Sequence, residues 1–193
     1  GYQHALVIGA ETLSKMMDWT DRSTCVLFGD GAGAAVLSAS KEDGILSMVQ
    51  GSDGFRGDVL NCMARKVNNP YKKSDTALSY VSMNGQEVYR FAVKTVPKAV
   101  TDAVEQAGLQ LEEVDLFLLH QANYRIIEAV SKRLGQPMEK FPTNLEECGN
   151  ISAASVPILL DNVNNHGMMR KGMKIVLAGF GAGLTWGATV INW

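Results

Sequence analysis

Two short polar runs stand where reactive groups could meet. His120-Gln121-Ala122-Asn123 follows the apolar run 114–119, and Gly149-Asn150-Ile151-Ser152 precedes a helix-forming segment. Neutral histidine and asparagine side chains both carry N–H donors. Two such donors on separate loops could converge on one oxygen and stabilise the negative charge it develops, as an oxyanion hole does. Each residue also has a plainer use. A histidine at a strand end is often a hydrogen-bonded core residue, and an asparagine before a helix is often a turn or N-cap residue. Cys148 invites pairing with His120 as a nucleophile, but nothing in the sequence places it on a strained elbow. Cys25 reads as strand core, and Cys62 lies in a polar run without an activating base. Arg125, Lys132 and Arg133 share one helix face by spacing. That is an ordinary solvated face, or a landing patch for a phosphate-bearing or acidic partner.

The run Gly29-Asp30-Gly31-Ala32-Gly33-Ala34 formally matches a dinucleotide fingerprint, which must open a helix to place a pyrophosphate on its N-terminus. Ala34 to Leu37 reads as strand instead. The same run is similar to phosphate-binding hairpins of sugar kinases and actin-like ATPases, which keeps a nucleotide-phosphate binder using Asp30 to Gly33 as an alternative from another class. Its plainest role is a tight turn between closely packed strands.

Positioning these groups needs alternating strands and helices. Ala5–Gly9 and Cys25–Phe28 read as short buried strands around a polar loop at residues 18–24, and Ile45–Val49 as another strand. Residues 51–80 show no clear period and read as a long loop. Asn84 with Glu87 resembles a capping box, and Val88 to Ala107 keeps one apolar face, with Gly108 as its stop. Pro97 inside that run predicts a kink or break. Val114–Leu119 is a strand, a helix starts near Asn123 and stops at Gly135, and a third starts near Ser152 with Pro157 in its first turn. Met173–Ala178 and Leu184–Ile191 are strands. The pattern predicts an α/β fold with a mostly parallel, buried sheet.

Residues 26–33 and 176–183 are identical at six of eight positions, at an offset of 150. We read this as a duplicated unit, the second running from about residue 40 to the end. A first unit of similar length would need roughly 110 residues upstream of Gly1. Composition narrows the class. With 46% hydrophobic and 20% charged residues the chain is globular rather than disordered or fibrous. A net charge of −2 gives no basic field for nucleic acid, and no apolar run approaches a membrane span. Three irregularly spaced cysteines make neither a disulfide framework nor a metal site, which points to the cytoplasm and to no bound metal.

Five motifs in order resemble β-ketoacyl-acyl carrier protein synthase III: residues 20–24 (TDRST), 28–34 (FGDGAGA), 120–127 (HQANYRII), 149–155 (GNISAAS) and 179–187 (GFGAGLTWG). The resemblance spans the whole chain. It implies an α/β thiolase-like fold of two similar halves, each with a five-stranded sheet. Residues 1–40 would end the first half, and residues 41–193 would form the second. It further implies a Cys-His-Asn triad in which His120 and Asn150 are the second and third members, with the cysteine in the half upstream of Gly1. The activity implied is decarboxylative condensation of acetyl-CoA with malonyl-carrier protein, without a cofactor, by a cytoplasmic homodimer that uses acyl carrier protein and CoA thioesters as partners. By matched position Arg22 would stack on the CoA adenine, and Gly85 and Asn123 would line the CoA channel. Arg125, with Lys132 and Arg133 beside it, would receive the carrier protein. Phe180 would line the pocket, and Ala182 stands where a glycine usually completes the oxyanion hole. Ile151 and Cys148 replace a common threonine and a bulkier residue. A hydroxymethylglutaryl-CoA synthase or plant-type polyketide synthase is the nearest alternative within the fold. The 193 residues alone are expected to lack condensing activity.

Overall fold

A computed structural model of the chain describes residues 1–62, 71 and 79–193. In chain order the elements are β1 (His4–Thr12), β2 (Asp30–Ser38), β3 (Ile45–Ser52), β4 (Leu60–Asn61), β5 (Ser82–Met83), α1 (Gly85–Gln106), β6 (Leu116–Leu119), α2 (Tyr124–Leu134), α3 (Leu145–Cys148), α4 (Ser155–Asn165), β7 (Lys174–Gly181) and β8 (Thr185–Asn192). Part of the long loop read over residues 51–80 lies outside the described residues. The rest of that stretch carries the end of β3, a 3-10 turn at Gly54–Val59 and β4.

The helices start and stop where their end residues dictate. The Asn84 side chain accepts the Glu87 N–H at 3.2 Å and opens α1. The capping box is only half made, because the Glu87 carboxylate turns to Arg56 and Arg90 instead of back to Asn84. Gly135, at φ 65°, ends α2 in the left-handed conformation. The break expected at Pro97 does not occur, and α1 runs on to Gln106. Its buried face, from Phe91 to Val104, includes Pro97 itself, and that packing outweighs the roughly 3 kcal/mol of one lost backbone bond.

A four-stranded sheet in the order β3-β8-β7-β6 carries the core. All four residues of β6 are buried, and they divide by parity. Phe117 and Leu119 join α1 and α2 on one face, whereas Leu116 and Leu118 join Leu159 and Val163 of α4 on the other. The sheet is not mostly parallel as predicted. Among the described strands only β6–β7 is a parallel pair, while β3–β8 and β7–β8 are antiparallel. The reason is connection length. Residues 182–184 join β7 to β8 as a hairpin, and only the crossover from β6 through the helices is long enough for parallel pairing.

β1 and β2 form a separate antiparallel pair that packs on the start of α4. The strand read as buried over Ala5–Gly9 is open here apart from Gly9, with Leu6 62% and Ile8 60% exposed. Only one layer covers this hairpin among the described residues. Two further readings are overturned. Residues 25–28 are not a strand. The Asp21 carboxylate takes the Ser23 N–H and both the Ser23 and Thr24 hydroxyls, which offers the backbone a turn in place of a ladder. Residues 29–33 are not a hairpin turn either, since Asp30 to Gly33 lie within β2. The letter match at offset 150 therefore pairs unlike positions: residues 26–33 lead into the second strand of one hairpin, and residues 176–181 lie in the first strand of the other.

Candidate active site

His120 sits one residue beyond β6, where its N–H bonds the Ala178 carbonyl at 2.7 Å and prolongs the β6–β7 ladder. Its ring is 9% exposed and stands edge-on to Phe180, with centroids 5.2 Å apart. Burial alone pushes its pKa down to about 4, so the imidazole is uncharged at neutral pH and carries one N–H.

Asn150 is held by its backbone. It forms a parallel bridge to Phe28, with its N–H on the Leu27 carbonyl and its own carbonyl taking the Gly29 N–H, both at 2.9 Å. Its side-chain Oδ1 accepts the Ser152 N–H at 3.0 Å. That bond commits Oδ1 as acceptor and leaves Nδ2 as the donor end of the amide. Ser152 itself adopts φ 48°, a left-handed conformation that is costly outside glycine. Gly149, at φ 64° and ψ −159°, occupies a region essentially closed to other residues. Gly29 lies so close to the Cys148 carbonyl that a Cβ would overlap it. Gly29→Ala should therefore cost about 1–3 kcal/mol, because backbone cannot rotate away. Thermal melting of wild type and variant checks this, and an unchanged midpoint would show that the approach is looser.

Two cavities meet at these donors. The larger, about 640 Å³, is walled by Leu13, Phe28, Leu60, Phe180, Ala182 and Trp186 among others, and the second, about 460 Å³, by Met83, Gly85, Tyr89, Asn123 and Arg125. His120, Asn150, Phe28, Leu60, Phe180 and Gly181 belong to both. A donor pair at the junction can face a group that enters through either space.

The sequence-derived residues divide accordingly. Gly85 and Asn123 line the second cavity, and Asn123 also caps α2 by accepting the Arg125 N–H at 2.8 Å. Arg125 stands exposed on its wall. Arg22 is exposed on the Asp21 turn, next to Ser23, which does line that cavity. Lys132 and Arg133 wall none of the cavities described, and Lys132 pairs with Glu128 at 2.9 Å. Cys62, read as an isolated thiol, lines the larger cavity, with its Sγ 3.4 Å from the Ser79 carbonyl oxygen. The phosphate-hairpin reading fails. The Asp30 carboxylate is engaged by the Ser14 hydroxyl and N–H, which also lower its pKa, and a Cβ at Gly33 would come within 3.0 Å of the Ile158 backbone nitrogen of α4.

Sequence reasoning missed the bracing around the donors. Gln121 and Ser155 are fully buried and hydrogen-bonded to one another. Both lie inside motifs that drew notice for their neighbours. A buried polar residue between a candidate donor and a helix was the available signal.

The 3-oxoacyl-[acyl-carrier-protein] synthase III family matches residues 1–54, and its C-terminal family matches residues 104–193. The chain is 49% identical over 193 residues to a β-ketoacyl-[acyl-carrier-protein] synthase III of Clostridium acetobutylicum, covering all of this chain and 59% of that protein. It superposes on the crystal structure of the 3-oxoacyl-[acyl-carrier-protein] synthase III of Aquifex aeolicus with a TM-score of 0.89 at 40% identity, covering 99% of this chain and 58% of that one. The corresponding structure from Thermus thermophilus gives 0.88 at 44% identity, with 99% and 59% covered. The chain thus spans about three-fifths of the length of the relatives it matches. The α/β thiolase-like architecture implied by the motifs is shared with these proteins, and with both ends of the chain matched in order, the chain belongs to the 3-oxoacyl-[acyl-carrier-protein] synthase III family.

Proposed function

We propose that the protein containing this chain is a β-ketoacyl-carrier protein synthase III that condenses acetyl-CoA, or a similar acyl-CoA primer, with malonyl-carrier protein. The chain supplies the half of the site that makes the carbon nucleophile. The malonyl thioester enters from the side of Gly85, Asn123 and Arg125. His120 and the Asn150 Nδ2 donate to its carbonyl oxygen. The bond to the carboxylate breaks, carbon dioxide leaves, and the electron pair is held as an enolate. The enolate carbon then attacks the acyl thioester of a cysteine outside these 193 residues, and the cysteine leaves as thiolate. We assign the Ala182 N–H, on the wall of the larger cavity, as a donor to the oxyanion of that second step. The reaction requires no redox partner and no metal.

The observation that carries this reading is the pair of uncharged, oriented donors at the junction of two cavities. Neutral donors aimed at the thioester oxygen bind the uncharged carbonyl weakly and act most on the charge that develops there. We further propose acyl carrier protein docking at Arg125, CoA contact at Arg22, a homodimer that includes the first half of the same protein, and a cytoplasmic location. Among the described residues no helix is long and apolar enough to cross a membrane. The test is the intact enzyme with acetyl-CoA and malonyl-carrier protein, read by mass spectrometry of the carrier protein and by carbon dioxide release. Absence of a β-ketoacyl product with every short acyl-CoA primer would overturn the reading.

Cys62 provides a separate check. It lines the larger cavity, but we assign the acyl-accepting thiol elsewhere. Cys62→Ser should keep acetyl transfer from labelled acetyl-CoA within about threefold of wild type, the range of a surface change near a site. Loss of the acetyl-enzyme in that variant would make Cys62 the nucleophile.

A further inference from the structure

We propose that Gln121 and Ser155 are positioning residues that set the separation of the two donors, and that their contribution appears in the decarboxylation step alone. The inference rests on the donor-pair reading above. His120 and Asn150 come from different loops, so nothing in the covalent chain fixes the distance between them. Gln121 follows His120 directly and is fully buried, as is Ser155 at the start of α4. Its backbone N–H donates to the Ser155 Oγ at 2.7 Å. Its side-chain Nε2 donates to the Leu119 carbonyl at 2.8 Å, and its Oε1 accepts the Asn144 N–H at 3.2 Å. Donor meets acceptor at both ends of the amide, so only one orientation satisfies it.

These bonds reach both ends of the segment that carries Asn150. Asn144 precedes α3, whose turn runs rigidly to Gly149 through the bonds Cys148 N–H to Asn144 O at 3.0 Å and Gly149 N–H to Leu145 O at 2.9 Å. Ser155 lies five residues beyond Asn150, after the 3-10 turn Ser152–Ala154. The residue after one donor thus clamps the loop of the other before and behind it. Ser155 also ties that loop to β6, whose four residues are packed on both sides. The clamp is buried and hydrogen-bonded through the Gln121 and Asn144 backbones, while the Asn144 side-chain amide itself finds no partner among the described residues, and displacement by a fraction of an ångström is enough to weaken a donor aimed at a developing charge.

In the intact enzyme Ser155→Ala leaves the Gln121 N–H without its acceptor. We expect the turnover of malonyl-carrier protein decarboxylation to fall about 10- to 100-fold. KM for the malonyl substrate and acetyl transfer from acetyl-CoA should change less than about threefold, because neither uses the donor pair in its transition state. The decisive measurement is a cycle with His120→Ala. With one donor gone there is no pair to position, so adding Ser155→Ala should lower decarboxylation little further. Full additivity, or an equal fall in transfer and decarboxylation in the single variant, would overturn the proposal and leave Ser155 a general structural residue. If His120→Ala alone spares decarboxylation, the donor-pair reading fails first, and the cycle shows which idea is lost. Should Ser155→Ala not fold, Gln121→Met serves in the same cycle, since it keeps the shape and backbone bond but removes both side-chain bonds. Additivity there would likewise overturn the inference.

Discussion

His120→Ala or Asn150→Ala in the intact enzyme should lower decarboxylation and condensation by roughly 10²–10³, about 2.7–4 kcal/mol of transition-state stabilisation, and leave acetyl transfer to the cysteine measurable. The magnitude follows from the site. Asn150 keeps Nδ2 as its donor end because Oδ1 accepts the Ser152 N–H, and His120 is buried, uncharged and packed on Phe180. Such donors need little reorganisation when charge moves onto the thioester oxygen. The two losses should not add, because both donors serve one oxygen and removal of either spoils the geometry for the other. The assay pairs labelled acetyl-enzyme formation with carbon dioxide release from malonyl-carrier protein. Equal collapse of both reactions would assign His120 and Asn150 a structural role and end the donor-pair reading.

That His120 and Asn150 line shared space was legible in the sequence because each stands at a punctuation point. His120 ends an apolar run, and Asn150 lies between a glycine and a helix start. The helices were legible for a similar reason, since Asn84, Asn123 and Gly135 act locally at helix ends. What failed depended on distant partners. The run Cys25–Phe28 has strand composition, but the Asp21 carboxylate holds Ser23 and Thr24 in a turn, and the Cys25 N–H goes to the Asp21 backbone carbonyl at 3.0 Å. The glycines of residues 29–33 suggested a turn or phosphate loop, whereas Gly29 admits the Cys148 carbonyl and Gly31 and Gly33 admit α4. Nothing local distinguishes a glycine that turns the chain from one that admits a neighbour. Sheet direction was misjudged because strand-helix alternation does not report that β8 returns through a three-residue hairpin to pair with both β7 and β3. The Gln121–Ser155 brace was hidden for the same reason, since it joins residues 34 positions apart.

Acid should destabilise the protein through His120 at a pH above the range in which Asp18, Asp21 and Asp30 contribute. The folded-state pKa is about 4 against 6.5 for an exposed imidazole, and the cause is burial. Above about pH 6.5 the imidazole is neutral in both states and costs nothing. Between there and about pH 4 the unfolded chain binds a proton that the folded chain refuses, so stability falls with decreasing pH. Below about pH 4 both states are protonated and this group adds no further loss. The shift of 2.5 units corresponds to about 3 kcal/mol over the whole window. Asp18, Asp21 and Asp30 have lowered pKa values because neighbouring Thr20, Ser23 and Ser14 hydroxyls donate to them. Their contributions are therefore lost only as pH falls below the usual carboxylate range near 3.8, which separates the two effects. Urea unfolding across the window should show the slope in wild type and a flatter one in His120→Gln, which keeps a donor but does not titrate. Equal slopes would place the acid sensitivity elsewhere. The same burial has a catalytic corollary. An imidazole that stays neutral to about pH 4 keeps its donor role through mild acid, so decarboxylation by enzyme that remains folded should not show an acid limb near 6.5.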